Sequence, residues 1–86
     1  MRATDMSRQQ IESAVRETIT TVLPSIRAEE IMAGQHLKDL GADSVDRVEI
    51  IMLLLERLRL KEPMASFGQI PTIDALVTFL YERCSA

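Results

Sequence analysis

The sequence predicts one all-α domain, and three observations lead to that fold class. Its 86 residues are enough for one hydrophobic core. Apolar residues make up 47% of the chain but aromatic residues only 3%, so Leu, Ile, Val and Met must fill the core, a mixture that favours helices over sheet. Apolar residues also recur at helical spacing between prolines and glycines. We therefore expect a single domain over residues 1–86, ordered from about residue 7 to residue 84.

The first helix is predicted over residues 8–22. Ser7 followed by Gln10 is the signature of a capping box, in which each side chain accepts a hydrogen bond from the backbone of the other residue. The helix should end before Pro24, because a proline disfavours helical backbone in the residue before it. Its apolar positions at helical spacing are Ile11, Val15, Ile19 and Val22.

A long loop over residues 24–43 is expected next. A loop of this length normally counts against an assignment unless it has a function or is held in place. Four of its apolar side chains are spaced along the loop and should anchor it to the core: Ile26, Ile31, Leu37 and Leu40.

Two further helices and a short one complete the prediction. Asp43 is a good N-cap for a second helix over residues 44 to about 60. Pro63 ends that region, and a short helix over residues 66–70 precedes Pro71. Thr72 then caps the last helix, whose predicted core face consists of Ile73, Leu76, Val77 and Leu80.

The second predicted helix is apolar on two sides. One side carries Ile50, Ile51, Leu54 and Leu58, and the other carries Val45, Val48, Glu49, Met52 and Glu56. Either both sides are core, or one side is a contact surface. Apolar side chains flanked by the acidic Asp46, Glu49 and Glu56 favour a reversible protein contact.

Charge and cysteine content exclude several functions. Residues 29–49 contain six acidic and two basic side chains, a net charge of −4, whereas the whole chain carries −3. Unless this acidity is a random feature of the surface, it repels nucleic acid and anionic membranes and attracts basic protein surfaces.

Cys84 alone forms neither an internal disulfide nor a metal cluster. Residues 1–6 lack an apolar leader, and the longest apolar run, residues 50–55, is too short to cross a membrane. We expect a cytoplasmic monomer.

Residues 40–50, L-G-A-D-S-V-D-R-V-E-I, are the most informative segment. They resemble the attachment motif of acyl carrier proteins, roughly L-G-x-D-S-L/I-x-x-V-E-L/I. Two later segments also match that family in order: F-G-Q-I at residues 67–70 resembles its short third helix, and T-I-D-A-L-V at residues 72–77 resembles the start of its last helix. The resemblance extends from about residue 8 to residue 83. It implies an acyl-carrier-like four-helix bundle with a long first loop and a short third helix.

The resemblance implies that Ser44 receives covalent 4′-phosphopantetheine from coenzyme A through a phosphopantetheinyl transferase, which Asp43 helps to engage. The arm then carries an acyl group as a thioester. Without the surrounding motif, Ser44 would be interpreted as a helix-capping or surface serine. A hydrolase nucleophile is disfavoured, because the residues around Ser44 do not match G-x-S-x-G, the chain is too short to enclose a substrate pocket, and His36 is the only histidine. We therefore expect a non-catalytic carrier without a metal site, whose partner-docking residues are Val45, Asp46, Arg47, Val48, Glu49, Met52 and Glu56.

Individual residues in and after the motif indicate which class of carrier the chain resembles. Peptidyl carriers usually have G-G-x-S before the helix, and this chain has G-A-D-S. Residues 43–50 are similar to the freestanding carriers of polyketide β-branching cassettes, which give acetyl or propionyl groups to an HMG-CoA-synthase-like enzyme. Arg47 and Arg57 stand where fatty-acid carriers more often have neutral or acidic residues. A fatty-acid or general polyketide carrier, serving an acyltransferase or ketosynthase, is the first alternative, and an arm-less helical adaptor is the second. The acyl group, the pathway and the role of Cys84 stay open.

Overall fold

A computed structural model describes residues 7–32, 34–68 and 72–85. Over these residues the chain forms three α-helices and three 3₁₀ turns, and no strand is present among them. The helices are α1 (Arg8–Val22), α2 (Ser44–Leu58) and α3 (Ile73–Ser85). The turns lie at Ala28–Glu30, Leu37–Leu40 and Met64–Phe67. The predicted all-α class is confirmed, with a 3₁₀ turn where the short third helix was expected.

Helix α1 has the predicted bounds because both of its ends are marked in the sequence. The Ser7 hydroxyl accepts the Gln10 N–H at 3.1 Å, and the Gln10 side chain accepts the Ser7 N–H at 2.8 Å. This reciprocal pair satisfies two donors that a helix start otherwise leaves free. Helix α1 then packs against both α2 and α3.

The core is formed by one side of each helix. Fully or almost fully buried side chains come from α1 (Ile11, Ala14, Val15 and Ile19), α2 (Ile50, Leu54 and Leu58) and α3 (Ile73, Leu76, Val77, Leu80 and Cys84), with Ile31 and Phe67 from the connections. The Phe67 and Phe79 rings meet edge to face, with centroids 5.1 Å apart.

The long loop between α1 and α2 is anchored as predicted. Ile31 is buried, and Ile26, Leu37 and Leu40 pack against the core. Arg16 adds hydrogen bonds that the sequence did not reveal: its Nη1 donates to the Ala28 carbonyl at 2.9 Å and the Ile31 carbonyl at 2.8 Å. The Ile73 N–H donates to the Gln35 carbonyl at 2.8 Å, so the loop is also tied to the start of α3.

Two predicted boundaries were wrong. Helix α2 ends at Leu58 rather than near residue 60, because Arg59 adopts left-handed backbone (φ 57°) and the Leu60 N–H returns to the Leu55 carbonyl at 2.9 Å. The short third helix was predicted over residues 66–70, but the 3₁₀ turn begins at Met64, directly after Pro63. The remainder of that predicted helix, Gln69 and Ile70, lies outside the described residues, as does Pro71.

Candidate functional site

A tight turn at Gly41 precedes α2. Gly41 has φ 91°, a left-handed conformation that residues with a Cβ rarely adopt. Its N–H bonds to the Lys38 carbonyl at 3.0 Å, and the N–H of the buried Ala42 bonds to the Leu37 carbonyl at 3.3 Å. These contacts close the preceding 3₁₀ turn and fix the entry into α2.

The first turn of α2 is held by two aspartates. The Asp43 Oδ1 atom accepts the Asp46 N–H at 2.9 Å, and the Asp46 Oδ2 atom accepts the Asp43 N–H at 3.3 Å. Asp43 is therefore the N-cap, as predicted, and its negative charge lies at the positive end of the helix dipole. Asp46 is half-buried and engaged in the same cap.

Ser44 is the first residue of α2 and is exposed to solvent. Within the described residues its hydroxyl has one hydrogen-bond partner, Arg47, whose Nη2 lies 3.4 Å from Oγ. His36 is exposed at the start of the preceding 3₁₀ turn and makes no hydrogen bond to Ser44 there. An exposed hydroxyl at the positive end of a helix suits the attachment of a phosphate-bearing group.

One face of α2 is unpaired in the described structure. Val45, Val48 and Met52 are 74%, 45% and 56% exposed, whereas Ile50, Leu54 and Leu58 on the other side are buried. Glu49 and Glu56 are exposed beside the apolar residues. Of the two alternatives from the sequence, a single core face is therefore correct. The unpaired face consists of Val45, Val48, Glu49, Met52 and Glu56, and is called the α2 outer face below.

Two of the predicted docking residues do not share that face. Asp46 is half-buried in the helix cap. Arg47 is exposed, but at about 100° of rotation per residue it falls on the same side of α2 as the buried Leu54. It remains accessible because it lies in the first turn of the helix, at the edge of the core.

Arg57, which the sequence suggested as a mark of carrier class, forms an ion pair within the chain. Its Nη2 lies 2.6 Å from the Glu17 Oε1 of α1. Both side chains are about half exposed, so the pair contributes only about 0–1 kcal/mol to stability. The pair borders an open groove of about 330 Å³ between α1 and α2. Neither the pair nor the groove is visible in the sequence, because Glu17 and Arg57 are 40 positions apart.

The described residues contain no other obvious chemical centre. No group of three or more His, Cys, Asp or Glu side chains among them could hold a metal ion. Cys84 is buried, and burial raises the pKa of its thiol above the ordinary value of 9.0, so it stays protonated at neutral pH. No helix in the described part of the chain is long and apolar enough to cross a membrane.

Comparison with known proteins identifies the family. The model of the phosphopantetheine attachment site matches residues 13–80. The chain is 37% identical over 78 residues to the polyketide biosynthesis acyl-carrier-protein AcpK of Bacillus subtilis (strain 168), covering 91% of this chain and 95% of that protein. It is 32% identical over 78 residues to an acyl carrier protein of Cyanidioschyzon merolae (strain NIES-3377 / 10D), covering 91% of this chain and 86% of that protein. No solved structure gives a significant match.

These matches confirm the resemblance found in the sequence and cover nearly the whole length of the chain. They also confirm the predicted cofactor, covalent 4′-phosphopantetheine, and the role of a phosphopantetheinyl transferase in attaching it. The chain belongs to the acyl carrier proteins, which are non-catalytic carriers with a phosphopantetheine attachment domain.

Proposed function

We propose that Ser44 carries the phosphopantetheine arm and that the loaded protein donates acetyl or another short acyl group to an HMG-CoA-synthase-like enzyme in polyketide β-branching. The observation that supports the attachment site most strongly is the exposed Ser44 hydroxyl at the first residue of α2. The turn at Gly41 and the cap at Asp43 hold that residue in place.

The chain's part in loading is to present a nucleophilic oxygen. The Ser44 Oγ forms a new bond to phosphorus, the pyrophosphate bond of coenzyme A breaks, and adenosine 3′,5′-bisphosphate leaves, while the transferase takes the hydroxyl proton. Backbone N–H groups at the start of α2 favour the incoming phosphate. The thiol of the attached arm holds an acyl group as a thioester, which is activated for acyl transfer and for carbon–carbon bond formation.

The α2 outer face is the proposed docking surface for the transferase and for downstream enzymes. Val45, Val48 and Met52 supply apolar contacts, and Glu49 and Glu56 attract basic groups on the partner. Asp43 lies beside Ser44 and is proposed to engage the transferase directly. Asp46 and Arg47 lie outside this surface, because Asp46 is part of the helix cap and Arg47 lies on the Leu54 side of α2.

The donor role depends on finer features than the attachment site. The segment D-S-V-D-R-V-E-I at residues 43–50 is similar to that of β-branching carriers. The 37% identity to a polyketide biosynthesis carrier also favours a polyketide setting over fatty-acid synthesis. A fatty-acid or general polyketide carrier is the alternative function.

A loading assay followed by a transfer assay tests both levels of the proposal. The intact chain, Ser44→Ala and the control Ser13→Ala are incubated with coenzyme A and a broad-specificity transferase, and their intact masses are measured. We expect one arm on the intact chain and on Ser13→Ala, and none on Ser44→Ala. No modification of the intact chain contradicts attachment at Ser44, and an arm on Ser44→Ala places the site elsewhere.

The transfer step then uses the acetyl-loaded chain. We expect an HMG-CoA-synthase-like enzyme to accept acetyl from it faster than from an acetyl-loaded fatty-acid carrier, because residues such as Arg47 and Arg57 differ between the two. Equal rates from both carriers contradict the donor role and return the chain to the general acyl carriers.

A further inference from the structure

The Arg47 guanidinium lies next to the proposed attachment atom. Its Nη2 is 3.4 Å from the Ser44 Oγ, a long and therefore weak hydrogen bond. Four other arginines, Arg8, Arg16, Arg57 and Arg83, are in ion pairs. Within residues 7–32, 34–68 and 72–85, Arg47 is in none. Its side chain is exposed, and its charge is free to bind an anion.

A phosphodiester on Ser44 would enter an acidic environment. Asp43 and Asp46 are fixed beside Ser44 by their reciprocal hydrogen bonds to the backbone, and they repel a further negative charge. From residue 39 to residue 56 the chain has five acidic side chains and one basic side chain, Arg47. The helix dipole offsets part of this repulsion, and Arg47 is the side chain in that segment that can offset the rest.

We propose that Arg47 binds the phosphodiester of the loaded arm and holds its first atoms away from the α2 outer face. The inference rests on the proposed attachment at Ser44. Residues three positions apart on a helix are neighbours, with Cβ atoms about 5–6 Å apart. An arginine spans that gap easily, and its planar fork matches two phosphate oxygens.

The position of Arg47 on α2 determines on which side of the helix the bound phosphate lies. Arg47 lies on the Leu54 side of α2, roughly opposite Val45 and Met52. An arm whose phosphate is held there leaves the α2 outer face clear for a partner enzyme. Arg47 is thus a positioning residue that sets the direction in which the arm leaves the protein.

The test is ³¹P NMR of the loaded, folded protein. The samples are the intact chain, Arg47→Met, Arg47→Lys and the control Arg59→Met, which removes the same charge from the other end of α2. Each sample is also measured after unfolding in urea, where the phosphodiester has no fixed neighbour. We expect the intact chain and Arg59→Met to share one folded-state shift. The Arg47→Met shift should move most of the way to the unfolded value, and Arg47→Lys should fall between, because an ammonium is a point charge.

A second measurement needs no variant. Rotation about the Cζ–Nη bonds of Arg47, followed by ¹⁵N NMR, should slow when the intact chain is loaded. An unchanged rotation rate, or a folded Arg47→Met with the shift of the intact chain, overturns the inference while attachment at Ser44 stands. Intact masses separate the two failures: if Ser44→Ala still accepts the arm, the proposed function and this inference fall together.

Discussion

At the residue scale, Gly41 and Asp43 determine where Ser44 sits. The left-handed φ of Gly41 lets the chain reverse direction, and the Asp43 carboxylate satisfies the Asp46 N–H at the helix start. Asp43 was identified as the N-cap from the sequence, because a short acidic side chain has a specific backbone function at a helix start. Gly41 was part of the sequence motif, and its left-handed backbone was seen only in the structure. Ser44 therefore lies at a defined point of the surface although it follows a loop of about twenty residues.

Substitution of Asp43 separates its two functions, which are to cap α2 and, as proposed, to engage the transferase. Asp43→Ala removes the cap and should lower the free energy of unfolding by about 1 kcal/mol, or roughly 4–8 °C in Tm for a domain of this size. Asp43→Asn retains a capping oxygen and should keep nearly full stability. Thermal unfolding and the initial rate of arm loading are measured on both variants.

Recognition by charge predicts that Asp43→Asn is loaded more slowly than the intact chain despite its stability. A loading rate equal to that of the intact chain leaves Asp43 with a capping function only. If Asp43→Asn is as unstable as Asp43→Ala, the charge of Asp43 matters to the helix more than its hydrogen bond.

At the element scale, the sequence predicted those features that local chemistry determines. The bounds of α1 were correct because a capping box and a proline mark them. The end of α2 was missed because a non-glycine residue, Arg59, takes left-handed backbone there. Two contacts join different elements: the hydrogen bonds from Arg16 to the long loop, and the ion pair between Glu17 and Arg57. Local spacing in the sequence does not indicate either of them. The separation of Arg47 from the other docking residues follows from helical geometry, and the burial of Leu54 shows that Arg47 lies on the core side.

The α2 outer face should steer partners by charge. Glu49→Lys reverses the charge at an exposed position of this face, so we expect slower association with the transferase and an effect that shrinks as salt rises. The fold should survive, because an exposed substitution usually costs less than about 0.5 kcal/mol. Stopped-flow association rates over a range of salt concentrations measure the effect.

Glu82→Lys is the matched control, since it makes the same charge change at an exposed position of α3. Equal slowing by both variants means that net charge, rather than the α2 outer face, attracts the partner. Loss of the folded state in Glu49→Lys means that this face is part of the core.

At the scale of the whole molecule, packing bears on the kind of cargo. A carrier that shelters a long acyl chain must open an apolar space between its helices. The groove between α1 and α2 is open to solvent, and its lining includes two threonines and the charged Glu56 and Arg57 beside one leucine, Leu53. An open groove of this kind does not enclose a long chain, and a two-carbon acyl group does not need to be enclosed.

Acyl loading should therefore change stability very little when the cargo is acetyl. Each buried CH₂ contributes roughly 0.8 kcal/mol, and 1 kcal/mol corresponds to about 4–8 °C in Tm for a domain of this size. Burial of only a few CH₂ groups would therefore raise the Tm by a readily measured amount. The arm-bearing, acetyl-loaded and dodecanoyl-loaded forms are compared by differential scanning calorimetry, beside a fatty-acid carrier loaded in the same way. We expect the acetyl form to melt at nearly the temperature of the arm-bearing form. A large rise in Tm confined to the dodecanoyl form would mean that the helices part to bury a long chain, and the fatty-acid alternative would then describe this carrier better than acetyl donation.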